Sequence, residues 1–185
     1  SISAERVRDN LSYLKGKLNE EVFSSELTVY DDGRLKAGFG SCKFDGEGIP
    51  AKRKRIISKG VLESYLYDLK TSAEERKNPT GNGIREDFSE MPSISETNLI
   101  VEKGSSIDYR GIVVNELVGV HTSNSLSGEF SLQLGNSFLN GTPIKEAMVY
   151  GNLFEVLKDL KVGNDVENAG TILTPSVKTK LKVTG

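Results

Sequence analysis

Apolar and polar residues alternate along much of the chain at the two-residue period of half-buried strands. Glu129 to Phe138 is the clearest case, with Phe130, Leu132 and Leu134 on one face. Asn140-Gly141 behind it is the strongest hairpin turn in the sequence, and Ile144 to Tyr150 reads as its return strand. Val22 to Tyr30, closed by the turn Asp31-Asp32-Gly33, also reads as a strand, as do Thr97 to Glu102 and the alternating end Val177, Thr179, Leu181, Val183. Arg53 to Ile57 and Val61 to Tyr67 flank Ser58-Lys59-Gly60, a connection ending in Gly as a hairpin with a G1 bulge prefers.

Helical spacing is rarer. Leu153, Val156, Leu157 and Leu160 fall at i, i+3, i+4, i+7 and make one apolar stripe. Ala4 to Leu18 is a polar stretch predicted helical, Thr71 to Lys77 a short helix ended by Asn78-Pro79, and Ile107 to Leu117 a helix that Ser105 or Ser106 could cap. A glycine-dense loop runs from Gly38 to Pro50, and Pro79 to Gly83 forms a second. The expected fold class is α+β: a mostly antiparallel, barrel-like sheet with two or three short helices. It is expected to be a single domain over residues 1–185, of which 1–20 are a helical lead-in.

Composition narrows the class. Charged residues make 27% of the chain and apolar ones 36%, a globular balance. A chain of 185 residues buries about 70% of its unfolded surface and needs no disulfide or metal staple. The net charge of −2 makes nucleic acid an unlikely partner, since phosphate contacts need a clear Lys/Arg excess. Apolar runs are short (Ile112-Val113-Val114 stops at Asn115), so no membrane-crossing helix is expected. A single cysteine, Cys42, excludes an internal disulfide and fits a reducing compartment, where the sequons at Asn10 and Asn140 carry no meaning. Ser1-Ile2-Ser3-Ala4 has neither initiator Met nor leader features, and reads as a piece processed from a longer chain.

The residues offer no complete catalytic constellation. His121 is the one histidine, too few for a zinc cluster, and reads as a partly exposed residue in a polar loop or a contact to substrate or subunit. It is also the one candidate base for a serine, and Gly-x-Ser-x-Gly is absent. Lys43 beside Cys42 could lower the thiol pKa, but such a cysteine is more often a small half-buried residue of a strand. Asp45 and Glu47 could bind a cation, yet the calcium-loop pattern is incomplete and a turn with solvated acids is the plainer reading. Lys52-Arg53-Lys54-Arg55 could touch phosphate, or could guard a solvated hairpin edge, the preferred reading. Thr80-Gly81-Asn82-Gly83 resembles a backbone nest for an anion or peptide carbonyl, without the lysine of a nucleotide loop.

Seven clusters taken together carry more than each does alone. They are Tyr30-Asp31-Asp32-Gly33, Phe44-Asp45-Gly46-Glu47-Gly48-Ile49-Pro50, Gly60-Val61-Leu62, Pro79-Thr80-Gly81-Asn82-Gly83, Gly128-Glu129-Phe130-Ser131, Gly151-Asn152-Leu153 and Val162-Gly163-Asn164-Asp165. In this order and spacing the chain resembles the C-terminal domain of the TldD/PmbA family, also called modulators of DNA gyrase. The resemblance implies a cytoplasmic, heterodimeric metalloprotease acting on small or unfolded peptides. One subunit type carries a His-Glu-x-x-x-His helix and a C-terminal cysteine that bind zinc, and the partner type lacks them. The segment Asn164 to Thr171 has no cysteine, which resembles the partner (PmbA/TldE) type.

The resemblance thus implies a non-catalytic subunit domain, no cofactor in this chain, and zinc in the catalytic partner or in upstream sequence. Its partners would be a homologous TldD-like subunit or a second copy, and a peptide substrate. The loop residues Asp45, Glu47, Gly48, Thr80, Gly81, Asn82, Gly83, Asn164 and Asp165 would be structural or peptide-contacting. Two alternatives stay open. The parent could be a catalytic zinc peptidase with its histidines upstream of Ser1, or a gyrase- or DNA-associated modulator.

Overall fold

The structure, a computed structural model, describes residues 1–87 and 89–185. The expected helical lead-in forms over α1 (Ala4–Arg8) alone. Asn10 turns the backbone to φ 60° and Gly16 to φ 74°, which no helix continues through. The freed chain is pinned by tertiary bonds instead: Ser12 Oγ donates to Ser1 O at 2.6 Å and Tyr65 Oη to Leu14 O at 2.5 Å.

The strand expected over Val22 to Tyr30 begins only at β1 (Val29–Asp32). Val22, Phe23 and Leu27 are all buried, and the N–H groups of Val22 and Phe23 both reach Gly60 O, so this segment hooks over a hairpin tip. That hairpin is β2 (Arg53–Ser58) and β3 (Val61–Leu62), with Ser58 opposite Val61. Lys59 at φ 46° and Gly60 at φ 83° make a two-residue type I′ turn rather than the expected G1 bulge. A Cβ on Gly60 would lie 2.3 Å from Phe23 O, so the hook and the turn together demand glycine.

Helix α2 (Leu69–Glu74) starts two residues before its expected position because Asp68 caps it, accepting Thr71 N–H at 2.7 Å. It stops short of Lys77, where Arg76 adopts φ 54°. The ribbon β4 (Gly83–Ile84) and β5 (Ser93–Ile94) follows, then β6 (Leu99–Val101).

The helix expected over Ile107 to Leu117 is instead the strand β7 (Ile112–Val118). Gly111 sits at φ 109°, and the β-branched run beyond it pairs with β8 (Glu129–Leu139) from Ile112↔Leu139 to Val118↔Gln133. β-Branched side chains lose rotamer freedom in a helix and fit a pleated surface, so strand pairing outweighs the serine cap. Asn140-Gly141 forms the expected turn, with φ 49° and 84°, into β9 (Thr142–Ile144). The return strand then breaks and resumes as β10 (Met148–Asn152). Asn152 caps α3 (Leu153–Asp159); of the expected stripe Leu157 and, just past the helix, Leu160 pack on the main core, while Leu153 is exposed.

The end of the chain is finely divided: β11 (Lys161–Val162), β12 (Glu167–Ala169), β13 (Ile172–Thr174), β14 (Val177–Lys178) and β15 (Lys182–Thr184). The single strand expected from Val177 to Val183 is therefore two, pairing with different partners. One sheet has the order β12-β13-β6-β1-β2-β3. A second runs β15-β10-β8-β7, with β9 on β8. Among the named strands pairing is antiparallel except between β13 and β6, which bears out the α+β class; the sheets stay open rather than closing into a barrel. The main core gathers Ile56, Leu62, Leu66 and Val162, all essentially inaccessible, under the first sheet. Leu132, Leu134, Ala147 and Val149 form a smaller cluster in the second. No helix among the described residues is long and apolar enough to cross a membrane.

Candidate functional site

The first sheet carries a buried polar group at its centre. In the β1–β2 register Asp31 stands opposite Lys54, and Lys54 Nζ lies 2.8 Å from Asp31 Oδ2. Both side chains are nearly inaccessible, at 9% for Lys54 and 0% for Asp31. An ion pair removed from water holds only if its remaining lone pairs are satisfied. Here they are: Asp31 also accepts Asn82 Nδ2 at 2.9 Å, Thr97 N–H at 2.6 Å and Thr97 Oγ1 at 2.9 Å. Asn82 Nδ2 also donates to Ser95 O, and Asn82 Oδ1 lies 2.8 Å from the Thr80 hydroxyl, which accepts Tyr67 N–H.

The two family-like loops are fused beside this pair. Asp45 Oδ1 accepts the N–H groups of Glu47 and Ile49, each at 2.9 Å, and Oδ2 accepts Gly83 N–H at 3.0 Å. Gly46 N–H returns a bond to Gly83 O at 2.7 Å, and Glu47 Oε2 accepts Leu69 N–H at the start of α2. A Cβ on Gly83 would lie 2.4 Å from Glu47 Oε2, so glycine permits this approach. Gly48 and Gly81 take φ 82° and 75° in the two turns. The structure thus joins Asp45, Glu47 and Gly48 to Thr80, Gly81, Asn82 and Gly83. Asp45 and Glu47 are not the solvated turn acids expected from the sequence, because both are held by backbone donors.

Asn164 and Asp165 lie elsewhere. Asp165 accepts Ser176 N–H and Oγ and ties the β11–β14 ribbon, and these bonds hold its carboxyl below the usual range. Asn164 is exposed. The basic run is not a plain solvated edge either. Lys54 is buried on Asp31, Arg55 makes paired bonds to Glu63 at 2.7 and 2.9 Å, and Arg53 lies 4.1 Å over the Tyr30 ring.

Cys42 sits in a loop, not a strand. Its thiol pKa is pushed up, first by burial and then by the Asp45 carboxylate; Lys54 rather than Lys43 pulls the other way. Around it lie two shallow, open depressions of about 780 and 580 Å³ that share Ser41, Cys42 and Phe44. Zinc does not fit this chain's own donors. His121 is exposed in a 3₁₀ turn (Val120–Thr122), and no group of three His, Cys, Asp or Glu able to hold a metal occurs among the described residues.

Thr97 and Asn98 carry no site signal in the sequence, and Asp31 and Lys54 stand out there only as parts of a turn cluster and a basic run. One signal was present: Lys54 is two residues from Ile56 and so shares its inward face. Asn98, fully buried, ties the glycine-dense loop to β1 by donating to Asp32 O and accepting Gly40 N–H.

The family profile described as PmbA/TldA metallopeptidase C-terminal domain matches residues 1–185. The chain belongs to the PmbA/TldD family. An uncharacterized protein of Methanocaldococcus jannaschii is 40% identical over 184 residues, covering 96% of this chain and 44% of that protein. A Thermotoga maritima crystal structure, described as a candidate modulator of a DNA gyrase, superposes with a TM-score of 0.87 at 35% identity over 99% of this chain and 45% of that one. TldE from Thermococcus kodakarensis gives a TM-score of 0.85 at 26% identity, over 100% of this chain and 45% of the other. The chain therefore spans less than half the length of these PmbA/TldD relatives.

Proposed function

We propose that this chain is the C-terminal domain of a non-catalytic, TldE-like subunit that walls the peptide channel of a cytoplasmic zinc metalloprotease. The observation that carries this reading is the state of the fused loops. Asp45 accepts three backbone N–H groups and Glu47 accepts the first N–H of α2, so both carboxylates serve as ties within the fused loops. These loops act as a rigid surface, the preorganised kind against which an extended peptide docks at low ordering cost. Zinc, which polarises the scissile carbonyl and activates water in such proteases, would be held by residues outside this chain. A TldD-like partner subunit would supply them.

The modulator reading is weaker because Lys54 is buried on Asp31 and Arg55 is paired with Glu63. The test is to assay hydrolysis of an unfolded peptide by the TldD-like subunit, with and without the parent of this chain. Strong stimulation by the parent is expected. Equal cleavage without it would overturn the proposal.

A further inference from the structure

Four steps of the chain join an acid or its amide to glycine: Asp32-Gly33, Asp45-Gly46, Asn82-Gly83 and Asn140-Gly141. Such steps share one latent chemistry. Glycine has no Cβ to hinder its own peptide nitrogen, which can approach the carbonyl carbon of the preceding side chain. The fold treats the four very differently.

Three are locked. Asn82 is fully buried, its Nδ2 donates to Asp31 Oδ2 and Ser95 O, and its Oδ1 accepts the Thr80 hydroxyl. The nitrogen that would attack it, Gly83 N, donates to Asp45 Oδ2 at 3.0 Å. Asp45 is itself held by three backbone N–H groups, and Gly46 N–H donates to Gly83 O. Asp32 Oδ1 accepts Arg34 N–H, while Gly33 N–H faces Lys52 O at 3.4 Å. At each step the side chain and the attacking nitrogen are held by separate partners.

The fourth is open. Asn140 and Gly141 are both exposed at the tip of the β8–β9 hairpin, and a Cβ on Gly141 would meet nothing within 4 Å. Among the described residues neither the Asn140 side chain nor the Gly141 N–H makes a hydrogen bond. Asn140 N–H reaches Gly111 O only at 3.5 Å. Turning the Gly141 nitrogen toward the Asn140 amide carbon therefore breaks no bond of either group.

We propose that Asn140-Gly141 is a site of spontaneous covalent modification, the hydrolytic conversion of Asn140 to aspartate and isoaspartate with water as co-reactant. Gly141 N loses its proton and bonds to Asn140 Cγ; the Cγ–Nδ2 bond breaks, ammonia leaves, and a succinimide ring is closed. Water then opens the ring at either carbonyl. Opening at Cγ gives aspartate in the ordinary backbone. Opening at the backbone carbonyl gives isoaspartate, whose chain runs on through Cβ and Cγ. Both products add a negative charge to the hairpin tip.

The products differ in what they do to the fold. Aspartate keeps the turn, since Asp-Gly suits a type I′ turn as Asn-Gly does. Isoaspartate lengthens the backbone of a turn that sets the register, which loosens Leu139↔Thr142 and, on the other side of β8, Ile112↔Leu139. The modification acts on the second sheet and leaves the fused loops as they are, so it stands apart from the peptide-wall reading.

The test incubates the full parent protein at mildly alkaline pH, where the Gly141 nitrogen loses its proton more readily. Proteolytic peptides are then followed by mass spectrometry, with fragmentation to place each change. Asn140 should gain the amide-to-acid mass severalfold faster than Asn82, and an isoaspartyl-specific methyltransferase should label the product. In urea the two sites should convert at similar rates, because the fold and not the dipeptide sets them apart. Asn140→Gly, which keeps a turn-forming Gly-Gly pair, should abolish the fast conversion and leave the circular dichroism unchanged. Folded protein in which Asn140 converts no faster than Asn82 would overturn the proposal. So would a gap that persists undiminished in urea, or fast conversion that survives Asn140→Gly.

Discussion

The six-stranded sheet closes over Ile56, Leu62 and Leu66, each at most 1% exposed, and stitches its loops with Asp31, Asn82 and Asn98, each at 0%. The β7–β8–β10–β15 sheet has a smaller cluster around Leu132, Leu134, Ala147 and Val149. Its strand β7 leaves Ile112, Val114, Leu117 and Val118 between 38% and 47% exposed, on both faces of the pleat. A strand apolar on both faces suits burial on both sides. The comparison separates two ways of being specified. The first sheet is determined by its own side chains, down to a charge pair that tolerates no loss. The second presents apolar surface that this chain does not itself cover.

The comparison can be broken most sharply at the charge pair. Asp31→Ala should strand Lys54, Thr97 N–H and Asn82 Nδ2 and cost about 3–5 kcal/mol, read from urea unfolding. Paired replacement, Asp31→Leu with Lys54→Met, should cost less than either single change; an equal or greater loss would argue against the pair as the linchpin. Next in size is a matched pair of truncations. Leu62→Ala, in the dense core, should cost about 3–5 kcal/mol and Leu134→Ala about 2 kcal/mol, because the thinner cluster relaxes into the gap. Reversal of that order would put the better-packed core in the wrong sheet.

Polar substitution of β7 should be smaller still. Val114→Thr and Val118→Thr should each stay within about 0.5 kcal/mol for this chain, as surface changes do.

The smallest effect concerns pH. Asp165 has a depressed folded pKa because Ser176 bonds its charged form. Its contribution is fully present above the unfolded carboxyl pKa and is lost as pH falls through the folded one. Asp165→Asn should therefore lower stability at neutral pH and flatten the acid limb of stability against pH. An unchanged acid limb would leave Asp165 without a role in the ribbon.

Much of the scaffold was legible because local chemistry agreed with the final packing. The Asn140-Gly141 turn and the alternation of β8 read correctly from a few residues, and the α3 stripe did so for Leu157 and Leu160, while Leu153 is exposed. The reading failed where distant partners decide. Ile107 to Leu117 had a plausible serine cap, but β8 pairing claimed its β-branched residues. The lead-in helix and the Val22 to Tyr30 strand gave way to bonds made with Tyr65 and Gly60, residues far along the chain.

The site divides the same way. The loops around Asp45 and Thr80 were visible as glycine and acid clusters, but nothing local joins them. Their union depends on Gly83 meeting Asp45 across 38 positions and Asn82 meeting Asp31 across 51. Asp31 itself looked like part of a turn, since burial cannot be read from an Asp-Asp-Gly triplet.

The central claim is that the parent of this domain is a non-catalytic subunit whose zinc is held by a partner. The most direct measurement is the zinc content of its parent protein, purified without any partner, by elemental analysis against protein concentration. The account predicts a zinc content near zero. A stoichiometry of about one zinc per chain, as a catalytic site would hold, would contradict it and make the parent a peptidase in its own right.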